Sequence, residues 1–203
     1  MRAVLAGFAV LLAAPQANAA LNVFGSTLAR ECYQAAIAGA GTGAALCERA
    51  LSSEQMSPRD KAATLVNRGI IYNAARQLDL AVADFNAALA INGDLGEAYL
   101  NRGNANFLRR KFPEAEQDYS KAIDLKVSNL DYAHYNRALV YEAMKRYDEA
   151  KADLNAALAI TPGFKPASDR LVVVNQIMSG EVRVQEPVQT PSSTVQPAVN
   201  SNQ

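Results

Sequence analysis

Hydrophobic positions recur along the middle of the chain in two alternating blocks of helical spacing. Leu65, Gly69 and Tyr72 fall four and three residues apart, on one helical face, and after a polar break Ala81, Phe85, Ala88 and Leu89 do the same. The pair of blocks returns as Tyr99, Gly103 and Asn106 followed by Ala115, Tyr119, Ala122 and Ile123. It returns again as His134, Ala138 and Tyr141 followed by Ala150, Leu154, Ala157 and Leu158. The same spacing relates Asn67-Arg68-Gly69, Asn101-Arg102-Gly103 and Asn136-Arg137-Ala138, with an offset of 34 residues and then 35. A period of this length marks small two-helix units stacked into an array. Large residues share columns with Gly or Ala, so backbones approach closely at the small positions while the large side chains fill the space to the next layer.

Local signals place the helix ends. Ser57-Pro58-Arg59-Asp60 offers an N-cap, a proline at the first helical position and an acid in the first turn. Asp94 and Glu97 read as a capping-box-like pair before the second unit. Pro113 opens the second helix of that unit, and Pro162-Gly163 stops the last helix of the third. The units are expected over 62–95, 96–130 and 131–164. Arrays need covered ends, and both flanks supply candidates. Residues 20–61 read as a shortened helical hairpin in which Cys47, Ala50 and Leu51 echo the Phe85, Ala88 and Leu89 columns. Residues 165–179 read as one amphipathic helix with Leu171, Val172 and Ile177 available for packing. The expected fold is all-α, an α-solenoid of helical hairpins with helical caps at both ends.

These columns resemble the tetratricopeptide repeat family. The resemblance rests on Gly69, Gly103 and Ala138, on Ala81, Ala115 and Ala150, and on Phe85, Tyr119 and Leu154. A second alanine column follows at Ala88, Ala122 and Ala157, with Pro162 closing the third unit. It covers 62 to about 162. The chain departs from the pattern at Gly93 and Val127, where the closing proline is replaced, and by one extra residue in the loop from Lys126 to Asp131. The resemblance implies a protein-binding module with a concave face lined by the first helix of each unit.

Composition adds a compartment. Met1 to Ala19 reads as a secretory signal peptide. Arg2 gives the basic end, Ala3 to Ala14 an apolar run too short to span a bilayer, and Ala17-Asn18-Ala19 the small-residue cleavage site. The expected location is periplasmic or secreted, as for an exported bacterial-type repeat protein. Without Arg2 the balance is 19 basic to 20 acidic residues, which gives no footprint for nucleic acid or an anionic membrane. Residues 180–203, with Pro187, Pro191 and Pro197, are expected to form a disordered tail. The two cysteines, Cys32 and Cys47, flank the glycine-rich turn Gly39-Ala40-Gly41-Thr42-Gly43. In an exported chain they read as a disulfide stapling the first hairpin.

Catalytic signals do not emerge. The single histidine, His134, occupies the column of Leu65 and Tyr99 and reads as packing; no second His or Cys stands at metal-ligand spacing. The glycine-rich turn lacks the Lys-Ser/Thr of a phosphate loop. No enzyme activity, cofactor, metal or small-molecule substrate is expected. Arg68, Arg102 and Arg137 recur with Asp84, Asp118 and Asp153, and equal recurrence of both signs favours ion pairs between helices over a charged groove. The column Asn67, Asn101 and Asn136 is different. An amide both donates and accepts, so it can hold the main chain of an extended ligand without reading its sequence. This resembles the asparagine ladder of O-linked N-acetylglucosamine transferases.

Beside that column, Ile70, Asn104, Phe107, Tyr132 and Tyr135 complete the candidate groove. Val66, Asn73, Glu97, Leu100, Leu139 and Glu142 are further first-helix neighbours. The carboxylate-clamp subclass of the family places Lys and Asn in its first repeat and Lys and Arg in its third, where this chain has Val66 and Ile70, then Tyr132 and Asn136. Only Asn101 agrees, which argues against capture of a chaperone C-terminus. The expected function is a non-catalytic adaptor or scaffold of the bacterial cell envelope that binds a segment of another protein. The alternatives are a structural or self-assembling subunit of an envelope complex and an accessory subunit of a wall-modifying or secretory enzyme.

Overall fold

The computed structural model describes residues 20–21, 27–39, 41–53 and 55–181. The leader and nearly all of the expected tail lie outside these residues. Among those described, the chain forms helices α1 (Thr27–Ala38), α2 (Ala44–Ser53), α3 (Pro58–Ala74), α4 (Leu78–Ile91), α5 (Gly96–Leu108), α6 (Phe112–Asp124), α7 (Leu130–Ala143), α8 (Tyr147–Ile160) and α9 (Lys165–Met178), and no strand. Successive helices pair as antiparallel hairpins α1–α2, α3–α4, α5–α6 and α7–α8, with α9 unpaired at the end. Each second helix also packs on the first helix of the next hairpin, and α3 touches α5 as α5 touches α7. The first helices therefore form the inner layer and the second helices the outer one. No described helix is long and apolar enough to cross a membrane.

The small-to-large columns set the hairpin spacing. A Cβ on Gly69 would stand 2.6 Å from Phe85 Cε1, and one on Gly103 would stand 2.7 Å from Tyr119 Cε1. The rings press directly on the glycine backbones. In the third unit the trade is reversed in size: Ala138 shares a core cluster with the smaller Leu154. Phe85, Tyr119 and Leu154 are almost completely buried.

Helix ends follow different rules at the two positions read from sequence. Ser57 caps α3: its Oγ accepts from the Asp60 N–H at 3.1 Å, with Pro58 in the first turn. The Asp94–Glu97 pair forms no capping box. Helix α5 begins at Gly96 with Leu95 as N-cap and no side-chain cap bond. The Asp94 N–H instead donates to Asn92 Oδ1 at 3.0 Å, a turn that keeps Asp94 one residue outside the cap position. The hairpin turns carry left-handed residues that are not glycine: Arg76, Arg110 and Lys145 have φ of 62°, 60° and 61°. The N–H that follows each reaches back to the carbonyl five residues earlier. Gln77 donates to Tyr72, Lys111 to Asn106 and Arg146 to Tyr141, at 2.8, 2.9 and 2.8 Å. These are Schellman closures.

Candidate functional site

The polar columns separate into two roles. Arg68, Arg102 and Arg137 each bridge from the first helix of a hairpin to the aspartate on the second. Arg68 Nη2 reaches Asp84 Oδ1 at 2.7 Å, Arg102 Nη2 reaches Asp118 Oδ1 at 2.6 Å, and Arg137 Nε reaches Asp153 Oδ2 at 2.7 Å. Two of them also reach the preceding unit: Arg102 Nη1 donates to Asn86 Oδ1 at 2.6 Å and Arg137 Nη1 to Ser120 Oγ at 2.9 Å. All three guanidinium groups lie over a tyrosine of their own helix. The hydrogen bond to the aspartate raises the Arg68 and Arg137 pKa values. Burial pushes the Asp118 carboxyl above its usual range, in spite of Arg102 and Asn106. Asp153 is equally buried, but bonds from Arg137 and from His134 outweigh that burial and lower it. His134 thus does more than pack: its Nδ1 stands 2.9 Å from Asp153 Oδ1.

The asparagine column turns inward. Asn67, on α3, is fully buried and holds another stretch of main chain. The Leu21 N–H donates to its Oδ1 at 2.9 Å, and its Nδ2 donates to the Leu21 carbonyl at 2.8 Å. Asn101 Nδ2 donates to the Glu97 carbonyl of its own helix at 2.8 Å. Asn136 Nδ2 donates to Asn104 Oδ1 at 3.0 Å, an oxygen that also accepts from the Tyr119 hydroxyl at 2.9 Å. Burial pushes that tyrosine well above its ordinary value. Asn104 Nδ2 and both amide atoms of Asn73 have no hydrogen-bond partner among the described residues. A buried polar group left in this state costs about 1–3 kcal/mol.

Of the eight groove residues proposed from sequence, six are therefore covered here: Asn67, Asn101, Asn136, Ile70, Asn104 and Tyr135 are all buried. Phe107 and Tyr132 remain half-buried. Part of the cover comes from residues outside the repeating columns. Leu21 closes the α3 end. At the α7 end Phe164, in the turn before α9, sits 4.7 Å from the Tyr132 ring and 5.3 Å from the Tyr135 ring. Arg170 on α9 donates from Nε to Glu142 Oε1 at 2.7 Å. Burial raises the Glu142 carboxyl against the pull of that guanidinium. Tyr135 thus packs against the cap rather than standing free as an anchor. Cys32 and Cys47, fully buried, are joined by a disulfide across the α1–α2 hairpin. Among the described residues no group of three or more His, Cys, Asp or Glu side chains is placed to hold a metal ion. The sequence reading missed Leu21, Phe164 and Arg170, because none belongs to a repeating column.

Comparison with known proteins agrees with this architecture. Residues 96–129 and 131–164 each match the tetratricopeptide repeat family. The human Tetratricopeptide repeat protein 6 is 34% identical over 82 residues, which is 40% of this chain and 16% of that protein. Two further curated human relatives are covered over 11% of their length, so the likeness concerns the repeat module and not a whole protein. Among solved structures, the first TPR of Spaghetti (RPAP3) bound to HSP90 peptide SRMEEVD is 25% identical. It superimposes with a TM-score of 0.56 over 59% of this chain and 94% of that one. MamA is 20% identical with a TM-score of 0.65, over 77% of this chain and 87% of that one, a likeness of fold alone. The chain carries tetratricopeptide repeats stacked as an all-helical solenoid.

Proposed function

We propose that the chain is a non-catalytic adaptor that holds an extended segment of a partner protein along the inner faces of α3, α5 and α7. The observation that carries this reading is the Asn67 amide, whose two polar atoms hold both main-chain groups of Leu21. A side chain that binds main chain in this way accepts segments of many sequences. A solved relative with a peptide in its title supports the same mode.

The kind of segment is narrower than in that relative. Val66 and Ile70 are buried apolar residues, and Tyr132 is aromatic, so the positions that would neutralise a terminal carboxylate carry no cation. Arg170 is tied to Glu142. The partner is therefore an internal, largely apolar segment. The leader reading and the buried disulfide support an exported protein whose partner resides in the bacterial envelope.

Buried Asn101 and Tyr135 are poor probes, because their substitution mixes folding with binding. Phe107 and Tyr132 are better. A photocrosslinking residue at either position is expected to capture one protein in the native envelope, with the adduct mapping to a single extended segment. The same residue at exposed Lys121, on the outer layer, is expected to leave that protein uncaptured. Equal capture from Lys121 would overturn the groove reading in favour of an outer-face contact.

A further inference from the structure

Two residues outside the repeats occupy the first place on the inner face. Ala20 and Leu21 pack against the core cluster to which α1 through α5 contribute. The Leu21 side chain also packs, with Leu28 and Met56, against a cluster of Ala29 of α1, Ala50 of α2 and Ala63 of α3. Three alanines from three helices make a shallow seat that Leu21 shares with these two side chains. Ala63 lies one turn before Asn67 on α3, so the seat and the amide are adjacent. Together they hold one residue by its side chain and by both of its main-chain groups.

We propose that the segment around Ala20–Leu21 is an intramolecular ligand of the groove. In the free chain it fills the place where a partner's extended segment enters, so self-docking and partner binding exclude one another. Recognition through an amide and an alanine seat does not distinguish the chain's own segment from a foreign one. Five residues separate Leu21 from the start of α1. A ligand tethered so closely acts at a high effective concentration even when its intrinsic affinity is low. The competition rests on the groove reading; the self-docking does not.

The test uses the full chain and a labelled peptide of the sequence of residues 20–26, Ala-Leu-Asn-Val-Phe-Gly-Ser, as the probe. Leu21→Pro removes the N–H that Asn67 accepts, and Leu21→Asp disfavours the alanine seat; neither changes a residue of α3. By fluorescence anisotropy the probe is expected to bind both variants at least tenfold more tightly than it binds the unaltered chain. Adding Asn67→Ala to Leu21→Pro is expected to remove that binding. Equal affinity for the unaltered chain and both Leu21 variants overturns the proposal, as does undiminished binding after Asn67→Ala in a variant that still melts cooperatively. If Asn67→Ala unfolds the chain, hydrogen exchange at the Leu21 amide of the unaltered chain decides: protection supports docking and free exchange overturns it. A probe that responds to Leu21 while Phe107 captures no partner refutes the groove reading alone. Adducts at Phe107 with no response to Leu21 refute this inference alone.

Discussion

The two ends of the inner face are covered in opposite ways. At the α7 end the cover is a whole helix. Phe164 inserts between two tyrosine rings, and Arg170 meets a buried carboxylate. At the α3 end the cover is Ala20 and Leu21, held by two neutral hydrogen bonds and one half-buried leucine. The first cover is a helix with buried aromatic and charged contacts; the second is two residues on one side of the core. The difference teaches which end of the groove opens. Two amide bonds contribute about 1 kcal/mol each, and ordering each main-chain residue costs about 1–2 kcal/mol, so the Leu21 contact is close to balance.

The largest break in this comparison is expected at the fixed end. Phe164→Ala removes a buried ring from between Tyr132 and Tyr135 and is expected to cost about 3–5 kcal/mol, by analogy with other buried aromatic truncations. Chemical denaturation checks this. A loss below about 1 kcal/mol would make the α9 cover as detachable as the Leu21 cover and erase the contrast.

A second break acts on the seat itself. The Cys32–Cys47 bond closes a loop of sequence separation 15 between the helices that supply Ala29 and Ala50. Replacing both cysteines by alanine is expected to cost about 3 kcal/mol in the chain-entropy account. It is also expected to increase hydrogen exchange in α1 and α2 more than in α7 and α8. Uniform loss of protection would mean that the two ends unfold as one unit.

Both ends stand on columns that could be read from sequence, but their covers could not. Gly69 with Phe85 and Gly103 with Tyr119 are legible because size complementarity repeats at a fixed period. The Ser57-Pro58 start is legible because capping is local. The hairpin turns were harder to place. Their left-handed residues are Arg76, Arg110 and Lys145, which cost about 1–2 kcal/mol each relative to a right-handed conformation and carry no glycine to announce them. The Asp94–Glu97 pair misled for the related reason that a cap depends on where the helix starts, and Asn92 moves that start. The asparagine column was legible as a column. Its burial was not, because Leu21, which bonds Asn67, lies outside the period, and the Asn136–Asn104 bond joins different columns of two units.

Acid sharpens the comparison between successive units. Asp153 sits below its ordinary value of 3.8 because Arg137 and His134 outweigh its burial. Its contribution to stability is present above pH 3.8 and is lost as pH falls through the lowered value. Asp118 sits above 3.8 through burial, so folding favours its protonated form and acidification through its raised value adds stability. Asp153→Asn is expected to cost about 1–3 kcal/mol at pH 7, with the cost shrinking below pH 3.8. Asp118→Asn is expected to cost less at pH 7, with no loss of effect confined to that lower window. Urea midpoints from pH 7 to pH 3 measure both. Identical pH profiles would show that His134 adds nothing to the third ion pair.

The smallest effect on stability belongs to the residue with the largest proposed effect on binding. Leu21→Ala removes the aliphatic contact from the alanine seat while leaving both main-chain bonds possible. Because the side chain is only half-buried, the expected loss is under about 1 kcal/mol, several-fold smaller than for Phe164→Ala. The protection of the Leu21 amide is expected to fall even though the global unfolding midpoint scarcely moves. That separation is what a detachable cover requires: local opening well below the cost of global unfolding. A midpoint shift as large as that of Phe164→Ala would place Leu21 in the structural core. The α3 end would then be as permanently closed as the α7 end, and a partner segment would have to enter between them, over Phe107.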